Sequence, residues 1–298
     1  MKLKTIVLAC AVVATGAACS KGSDGNGGRN TPRGISPSMA SEYAKPQVYN
    51  QKAVDFLASQ AKKSNASLPS TGLLMKNDKN DEAYKKLDAK GKAWFERVND
   101  NCSIKNPPKL EQAEGQHSRT ESISGGADCP MRYKQTETVQ LSMTKTDRLV
   151  TFSGQTSTGS STEIVDPQMQ ADTGSKKMLI EMSMNIQGDA AHDGNRMTDM
   201  AMKMDGSGRF EALMSDGNIS GEFKFEVAIS GSDSASSLLV VGVATLHTPE
   251  GDLALGIKMQ DKTMEFRVGG RVMTAEEFGK VFGPLPVDPT AAFLANVQ

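Results

Sequence analysis

A period of two in the hydrophobic residues between Met178 and Gly269 constrains the fold of this chain most strongly. Side chains alternate between the two faces of a β-strand, so this period predicts strands with one apolar face and one polar face. The first such run has its apolar positions at Met178, Ile180, Met182, Met184 and Ile186. The alternation recurs through residues 200–204, 210–214, 219–229, 253–259 and 264–268.

Short polar segments between these runs predict tight connections and therefore antiparallel neighbours. Asp205-Gly206-Ser207-Gly208, Asp216-Gly217-Asn218 and Pro249-Glu250-Gly251 contain residues that tolerate turn conformations. The segment from Leu238 to Leu246 differs, because it is apolar on both faces. Such a strand needs cover on its second side, and we expect a helix or the other end of the chain there.

The remaining periodicities predict helices on either side of the sheet. Residues 51–63 and 80–98 each carry one apolar stripe with the spacing of a helix, and Thr274-Ala275-Glu276-Glu277 matches a capping box that opens a short helix through about Phe282. The predicted fold is mainly β. It is a curled antiparallel meander, a half-barrel or barrel, of about 8–10 strands from Tyr133 to Gly269, with N-terminal helices and a short C-terminal helix.

The first 18 residues have the layout of a secretory signal peptide, with Lys2 and Lys4 ahead of a short apolar run. The end of this segment and the residue after it, Gly16-Ala17-Ala18-Cys19, resemble the lipobox of bacterial lipoproteins. This resemblance implies that Cys19 is acylated and anchors the protein to a membrane. It also implies that Ser20, the residue after the cysteine, directs the protein to the outer membrane. An ordinary signal peptide with a chance cysteine is the alternative.

Four segments follow from these patterns. Residues 1–18 are the signal peptide, and residues 19–41, rich in Gly, Ser, Asn and Pro, form a lipidated flexible tether. Residues 42–130 form a helical and disulfide-loop region, and residues 131–298 the antiparallel β domain with its C-terminal helix. Cys102 and Cys129 are the pair left after export and acylation, and an even pair in an exported protein predicts a disulfide.

Composition and motifs exclude several classes of function. With 34 basic and 35 acidic residues, the chain lacks the positive charge of a nucleic-acid-binding protein. The three histidines, His117, His192 and His247, are isolated in sequence, and no nucleotide-binding or nucleophile motif is present. We therefore predict no catalytic residues, no metal site and no cofactor. An unknown hydrolase stays open only if acidic or histidine side chains meet in one cleft.

The 17 methionines are the unusual feature of the composition. Methionine fills irregular apolar space, so the oily face is the predicted site for a lipid or other apolar ligand inside the curled sheet. The residues predicted to line this site are Met182, Met184, Met202, Phe223, Phe225 and Met259. The pattern is similar to the unclosed barrel with a helical lid of periplasmic lipoprotein carriers.

Three alternatives to a lipid carrier follow from the same residues. One is a structural or partner-binding outer-membrane lipoprotein with a solid core, distinguished by the absence of a cavity of several hundred Å³. A second is copper binding, because thioethers suit Cu(I). A third is an integral outer-membrane barrel, which the lipobox and the scarcity of aromatic residues disfavour. The side of the outer membrane that the protein faces is left open by the sequence.

Overall fold

The computed structural model describes residues 34–63, 71–106, 115–192, 197–232, 235–260 and 263–282. The predicted signal peptide and Cys19 lie outside these residues. The helices are α1 (Pro37–Ala44), α2 (Gln51–Lys63), α3 (Thr71–Lys76), α4 (Glu82–Lys85), α5 (Ala89–Asn101), α6 (Pro167–Thr173) and α7 (Ala275–Phe282).

A single antiparallel sheet of 11 strands forms the body of the protein. The strands are β1 (Ser103–Lys105), β2 (Gly115–Ser124), β3 (Met131–Lys145), β4 (Leu149–Ile164), β5 (Ser175–His192), β6 (Met197–Met214), β7 (Gly217–Ser232), β8 (Ala235–Thr248), β9 (Gly251–Gln260), β10 (Thr263–Val268) and β11 (Arg271–Met273). Spatial order equals sequence order, and β1 and β11 are the two edges, so the sheet is an open meander. The predicted mainly β fold, with N-terminal helices and a short C-terminal helix, is confirmed.

The sheet extends beyond the predicted boundaries toward the N-terminus. β1 and β2 lie ahead of residue 131 and pair with each other, and β2 pairs with β3. Helix α1 begins at Pro37, inside the segment predicted as a flexible tether. At the other end the predicted capping box is present. Thr274 N donates to Glu277 Oε2 at 2.8 Å, and Glu277 N donates to Thr274 Oγ1 at 3.2 Å.

The predicted turn at residues 205–208 is wrong, because these residues lie in the middle of the 18-residue strand β6. The two glycines instead make room for aromatic rings from β7. A Cβ atom on Gly206 would lie 2.5 Å from Phe225 Cζ, and one on Gly208 would lie 2.5 Å from Phe223 Cζ. The glycines are therefore sites of close packing within a strand.

One face of the sheet, here called the apolar face, carries two separate cores. The sheet core joins β5–β11 to α2 through Val54 and Leu57 and to α7 through Phe278. The N-terminal core joins α3, α5 and α6 to the first four strands, with Phe95 and Ile123 fully buried in it. Near the N-terminal core this face of β2 and β3 also carries charged residues, and Arg119 forms an ion pair with Glu137 there.

Helix α1 packs on the opposite face, here called the polar face. Its residues Met39 and Tyr43 contact Val241 of β8, with Leu239 and Val243 packed alongside. This contact confirms the predicted cover on the doubly apolar strand. The burial of Val241, which is fully enclosed, explains why a strand near the middle of the sheet is apolar on both sides.

The predicted pairing of Cys102 with Cys129 is present, with Cα atoms 5.0 Å apart. Cys102 follows the last residue of α5, and Cys129 stands two residues before β3. The bond therefore fastens the end of α5 to the start of a long strand. Cys129 is buried within the N-terminal core.

Candidate functional site

The six residues predicted to bind an apolar ligand all lie on the apolar face, but mainly inside the sheet core. Met202, Phe223, Phe225 and Met259 are buried, and none of them is more than 5% exposed. Met182 and Met184 are half-buried and pack against the same core. The structure therefore places the six side chains in or against one packed core.

A small cavity opens on this face between Phe210, Leu255, Phe266 and Phe278, and its volume is about 30 Å³. That volume is close to the share of one water molecule in the liquid. Ligand pockets for drug-sized molecules have volumes of about 300–1,000 Å³. This cavity is thus about ten times too small for a lipid.

A much larger space lies on the polar face, where sequence analysis placed no site, although Met182 and Phe223 of the predicted ligand site also border it. It is an open groove of about 800 Å³ that crosses the sheet from β3 to β8. Five steps between neighbouring strands give it a length of about 24 Å. Hydroxyl groups line its floor, from Thr136, Thr138, Ser157, Ser183, Ser207 and Thr245. The end of α1 and the residues after it form one wall, through Glu42, Lys45 and Gln47.

The charges in the groove balance. Its lining contains three acidic residues, Glu42, Glu181 and Glu222, and three basic residues, Lys45, Arg209 and Lys224. Glu181 Oε2 accepts a hydrogen bond from Arg209 Nε at 2.6 Å, and Glu42 Oε1 lies 3.1 Å from Lys224 Nζ. The hydrogen bond with Glu181 raises the pKa of Arg209. The groove therefore presents no net charge to a ligand.

Glu226 holds the beginning of α1 against the sheet. Its carboxylate accepts hydrogen bonds from the backbone N–H of Ser36, at 2.6 Å, and from the Ser36 hydroxyl, and Lys203 Nζ lies 3.4 Å away. Burial raises the pKa of Glu226, but the bonds from Ser36 and the charge of Lys203 outweigh it, so the pKa lies below its usual value.

A second carboxylate holds the other end of α1. Glu265 accepts from the Tyr43 hydroxyl at 2.7 Å and from Arg267, whose guanidinium also lies over the Tyr43 ring. The bond from Tyr43 is the main cause of a lowered pKa of Glu265, and burial partly opposes it. The wall of the groove is thus fastened to the sheet at both ends.

We expect helix α1 to loosen in acid. Both Glu226 and Glu265 have lowered pKa values in the folded state, so their stabilising effect is complete above the unfolded-state pKa of about 4.5 and is lost as the pH falls below it. Hydrogen exchange should show α1 losing protection over that range while β6 and β7 stay protected. At pH 7, Glu226→Ala should cost about 1–3 kcal/mol, because it leaves the part-buried donors of Ser36 and Lys203 without their shared acceptor.

The matched control for Glu226→Ala is Glu42→Ala, which removes only an exposed ion pair between helix α1 and the sheet. A surface pair is worth about 0–1 kcal/mol, so its effect should be small. Equal effects of the two substitutions, or protection of α1 that does not change between pH 6 and pH 3, would show that the carboxylates do not hold the helix.

The histidines do not form a reactive site among the described residues. His192 Nε2 lies 3.0 Å from the Thr146 carbonyl oxygen, and His247 Nδ1 lies 2.8 Å from Asp252 Oδ1. Strand register also places Ser220 opposite His247, which sequence spacing did not reveal. These are the residue types of a nucleophilic triad, but the His247 and Asp252 side chains are 51% and 69% exposed, and no bond joins Ser220 to His247 in the described part of the chain.

The described residues contain no group of three histidine, cysteine or acidic side chains arranged to hold a metal ion. Among them, no helix has the length and apolarity needed to cross a lipid bilayer. Comparison with known proteins gave no match to any family model, curated protein or solved structure.

Proposed function

We propose that this chain is a noncatalytic, outer-membrane-anchored lipoprotein with a solid apolar core, which binds a polar, extended ligand in the groove on its polar face. The observation that carries the proposal is the contrast between the two faces. The apolar face holds a cavity of about 30 Å³, and the polar face holds a groove of about 800 Å³. The space for a ligand therefore lies on the polar face, where hydroxyls and paired charges line the groove.

The lipid-carrier hypothesis requires a large cavity among the methionines and phenylalanines of the apolar face. These side chains pack against one another instead, which supports the alternative of a solid core. Copper binding has less support for the same reason, because a buried thioether such as that of Met202 is enclosed by hydrocarbon.

The proposed anchor places the groove close to the membrane. The lipobox ends at Cys19, and α1, which forms a wall of the groove, begins at Pro37. A fully extended chain of this length spans at most about 65 Å, so an acylated Cys19 would keep the beginning of α1, next to the groove, within that distance of the lipid surface.

The proposal is tested by measuring whether a bound ligand protects a cysteine introduced into the groove from chemical labelling. Ser183→Cys places a thiol in the groove, and Lys177→Cys places one on the same strand and face about 20 Å away, outside the groove lining. Each is introduced into the full chain with and without Cys19→Ser. We expect Cys19→Ser to release the protein from the membrane fraction. In intact envelopes a maleimide should label position 183 at least several-fold more slowly than in the purified chain, and position 177 equally fast in both.

Two results would contradict the proposal. Equal labelling of position 183 in envelopes and in purified protein would mean that nothing occupies the groove. A stoichiometric lipid on the purified chain in native mass spectrometry would show that the apolar face opens to take a ligand, and would restore the carrier hypothesis.

A further inference from the structure

We infer that the groove binds an uncharged glycan chain that carries acetamido groups, laid across the strands. This inference rests on the proposed function and names the ligand class for the same groove. It is based on side-chain rows that the strand register creates on the polar face, which are not visible in the linear sequence.

The first row consists of hydroxyls. In β2–β6, one serine or threonine of each strand stands directly opposite that of the next, and the row comprises Ser118, Thr138, Ser157, Ser183 and Ser207. Neighbouring strands lie about 4.8 Å apart, so these hydroxyls repeat at that interval. All but Thr138 are exposed, and four of them, from Thr138 to Ser207, belong to the groove floor.

A second row, two residues further along each strand, consists of carboxamides. Gln116, Gln140, Gln155 and Asn185 stand opposite one another on β2–β5, and Asp205 continues the row on β6. Asn185 Nδ2 donates to Asp205 Oδ2 at 3.0 Å. Two residues along a strand span about 7 Å, so the amide row runs parallel to the hydroxyl row at that distance, just outside the groove lining.

The two rows match the groups of an amino sugar chain. A chain of pyranose rings carries hydroxyls along its whole length. Each acetamido substituent both donates to and accepts from a side-chain amide. An extended peptide is a poorer match, because β3–β6 lie inside the sheet and their backbone groups already pair with neighbours on both sides. A peptide strand adds to a free sheet edge, which this floor lacks.

The charge of the site determines which glycans it accepts. The groove lining has equal numbers of acidic and basic residues, and the pairs Glu181–Arg209 and Glu42–Lys224 satisfy one another. A polyanion would therefore gain no net electrostatic attraction. Recognition by hydrogen bonds alone is weak for each sugar, so binding should require several units that occupy the groove together.

Calorimetric titration of the full chain carrying Cys19→Ser provides the test, with an N-acetylglucosamine pentamer as the probe. Two further pentamers serve as comparisons: one of glucose, which lacks the acetamido groups, and one of galacturonate, which is anionic. We expect the N-acetylglucosamine pentamer to bind roughly 10-fold more tightly than either comparison. Ser157→Ala/Ser183→Ala/Ser207→Ala should weaken its binding roughly 10-fold or more.

A second variant tests the contribution of the carboxamide row separately from that of the hydroxyl row, and a third variant is the control for both. Gln140→Ala/Gln155→Ala should remove the preference for the acetamido sugar over glucose. Ser142→Ala/Ser153→Ala changes two exposed serines that stand opposite each other just beyond the amide row, so it should bind like the unsubstituted chain. Equal unfolding midpoints for all variants would show that each is folded.

The outcomes separate this inference from the proposed function. If no pentamer binds while position 183 stays protected in envelopes, the groove has another occupant and the glycan assignment is wrong. Equal binding by the triple-alanine variant would also overturn it. Co-sedimentation with two natural glycans extends the test. A neutral surface polysaccharide that carries acetamido groups should bind, which would support the inference. Tighter binding of peptide-stripped cell-wall glycan, whose muramic acid carboxylates make it anionic, would contradict it.

Discussion

Replacing Cys102 and Cys129 together by alanine is expected to lower the free energy of unfolding by about 3.5 kcal/mol. The two residues are 27 positions apart, and closing a loop of that size restricts the unfolded chain by about this amount. Alanine is preferable to serine, because Cys129 is buried and a hydroxyl there would need a partner. Urea denaturation followed by tryptophan fluorescence suits this measurement, since Trp94 lies in the same N-terminal core.

The reduced but unsubstituted chain provides the comparison for this prediction. Its stability should fall by a similar amount, because the covalent link is lost while both side chains stay in place. If reduction leaves the urea midpoint unchanged, the contacts of α5 with the sheet, rather than the disulfide, hold this part of the fold together.

Replacing Phe225 by alanine is expected to cost about 3–5 kcal/mol, the largest effect of any single substitution proposed for this chain. The Phe225 side chain is 1% exposed, and its ring lies against Gly206 on the neighbouring strand. Met143→Ala, a truncation on the same face at a side chain that is 55% exposed, should change stability by about 0.5 kcal/mol or less. Thermal or urea unfolding of both variants measures the difference.

Gly206→Ala tests the same contact from the other side. The added Cβ would lie 2.5 Å from Phe225 Cζ and 2.8 Å from the Ser183 carbonyl oxygen, so the ring has to move. In the Phe225→Ala background that part of the cost disappears, and the two changes should be non-additive by about 0.5–3 kcal/mol. A small loss from Phe225→Ala together with additive effects would show a loosely filled core, as a lipid carrier requires.

The sheet could be predicted because its hydrophobic pattern is local. Alternation along β5 or β7 is visible within one strand. Residues 238–246 are apolar on both faces, which predicted a covering element, and α1 covers them through Met39 and Tyr43. The chemistry of the C-terminal capping box is also local, since Thr274 and Glu277 are three residues apart. In each case the pattern that supported the prediction lies within one short segment.

The groove could not be predicted, because it depends on register between strands. Ser157 and Ser183 are 26 positions apart, and nothing in the sequence indicates that they stand opposite each other. The turn predicted at residues 205–208 failed for a related reason. Gly206 and Gly208 have turn-forming chemistry, but their role is set by Phe225 and Phe223, which arrive from the next strand. β2 was missed because its polar residues carry no apolar period.

The docking of α1 has a consequence for the order in which the chain can assemble. Each hairpin of the meander joins neighbouring segments, so hairpins can form one after another as the polypeptide emerges from its N-terminal end. Helix α1 would emerge among the first segments, yet its partners Glu226 and Glu265 lie 190 and 222 residues from Ser36 and Tyr43. Helix α1 can therefore dock fully only after β10 has formed. Until then the side chain of Val241 stays exposed on the polar face.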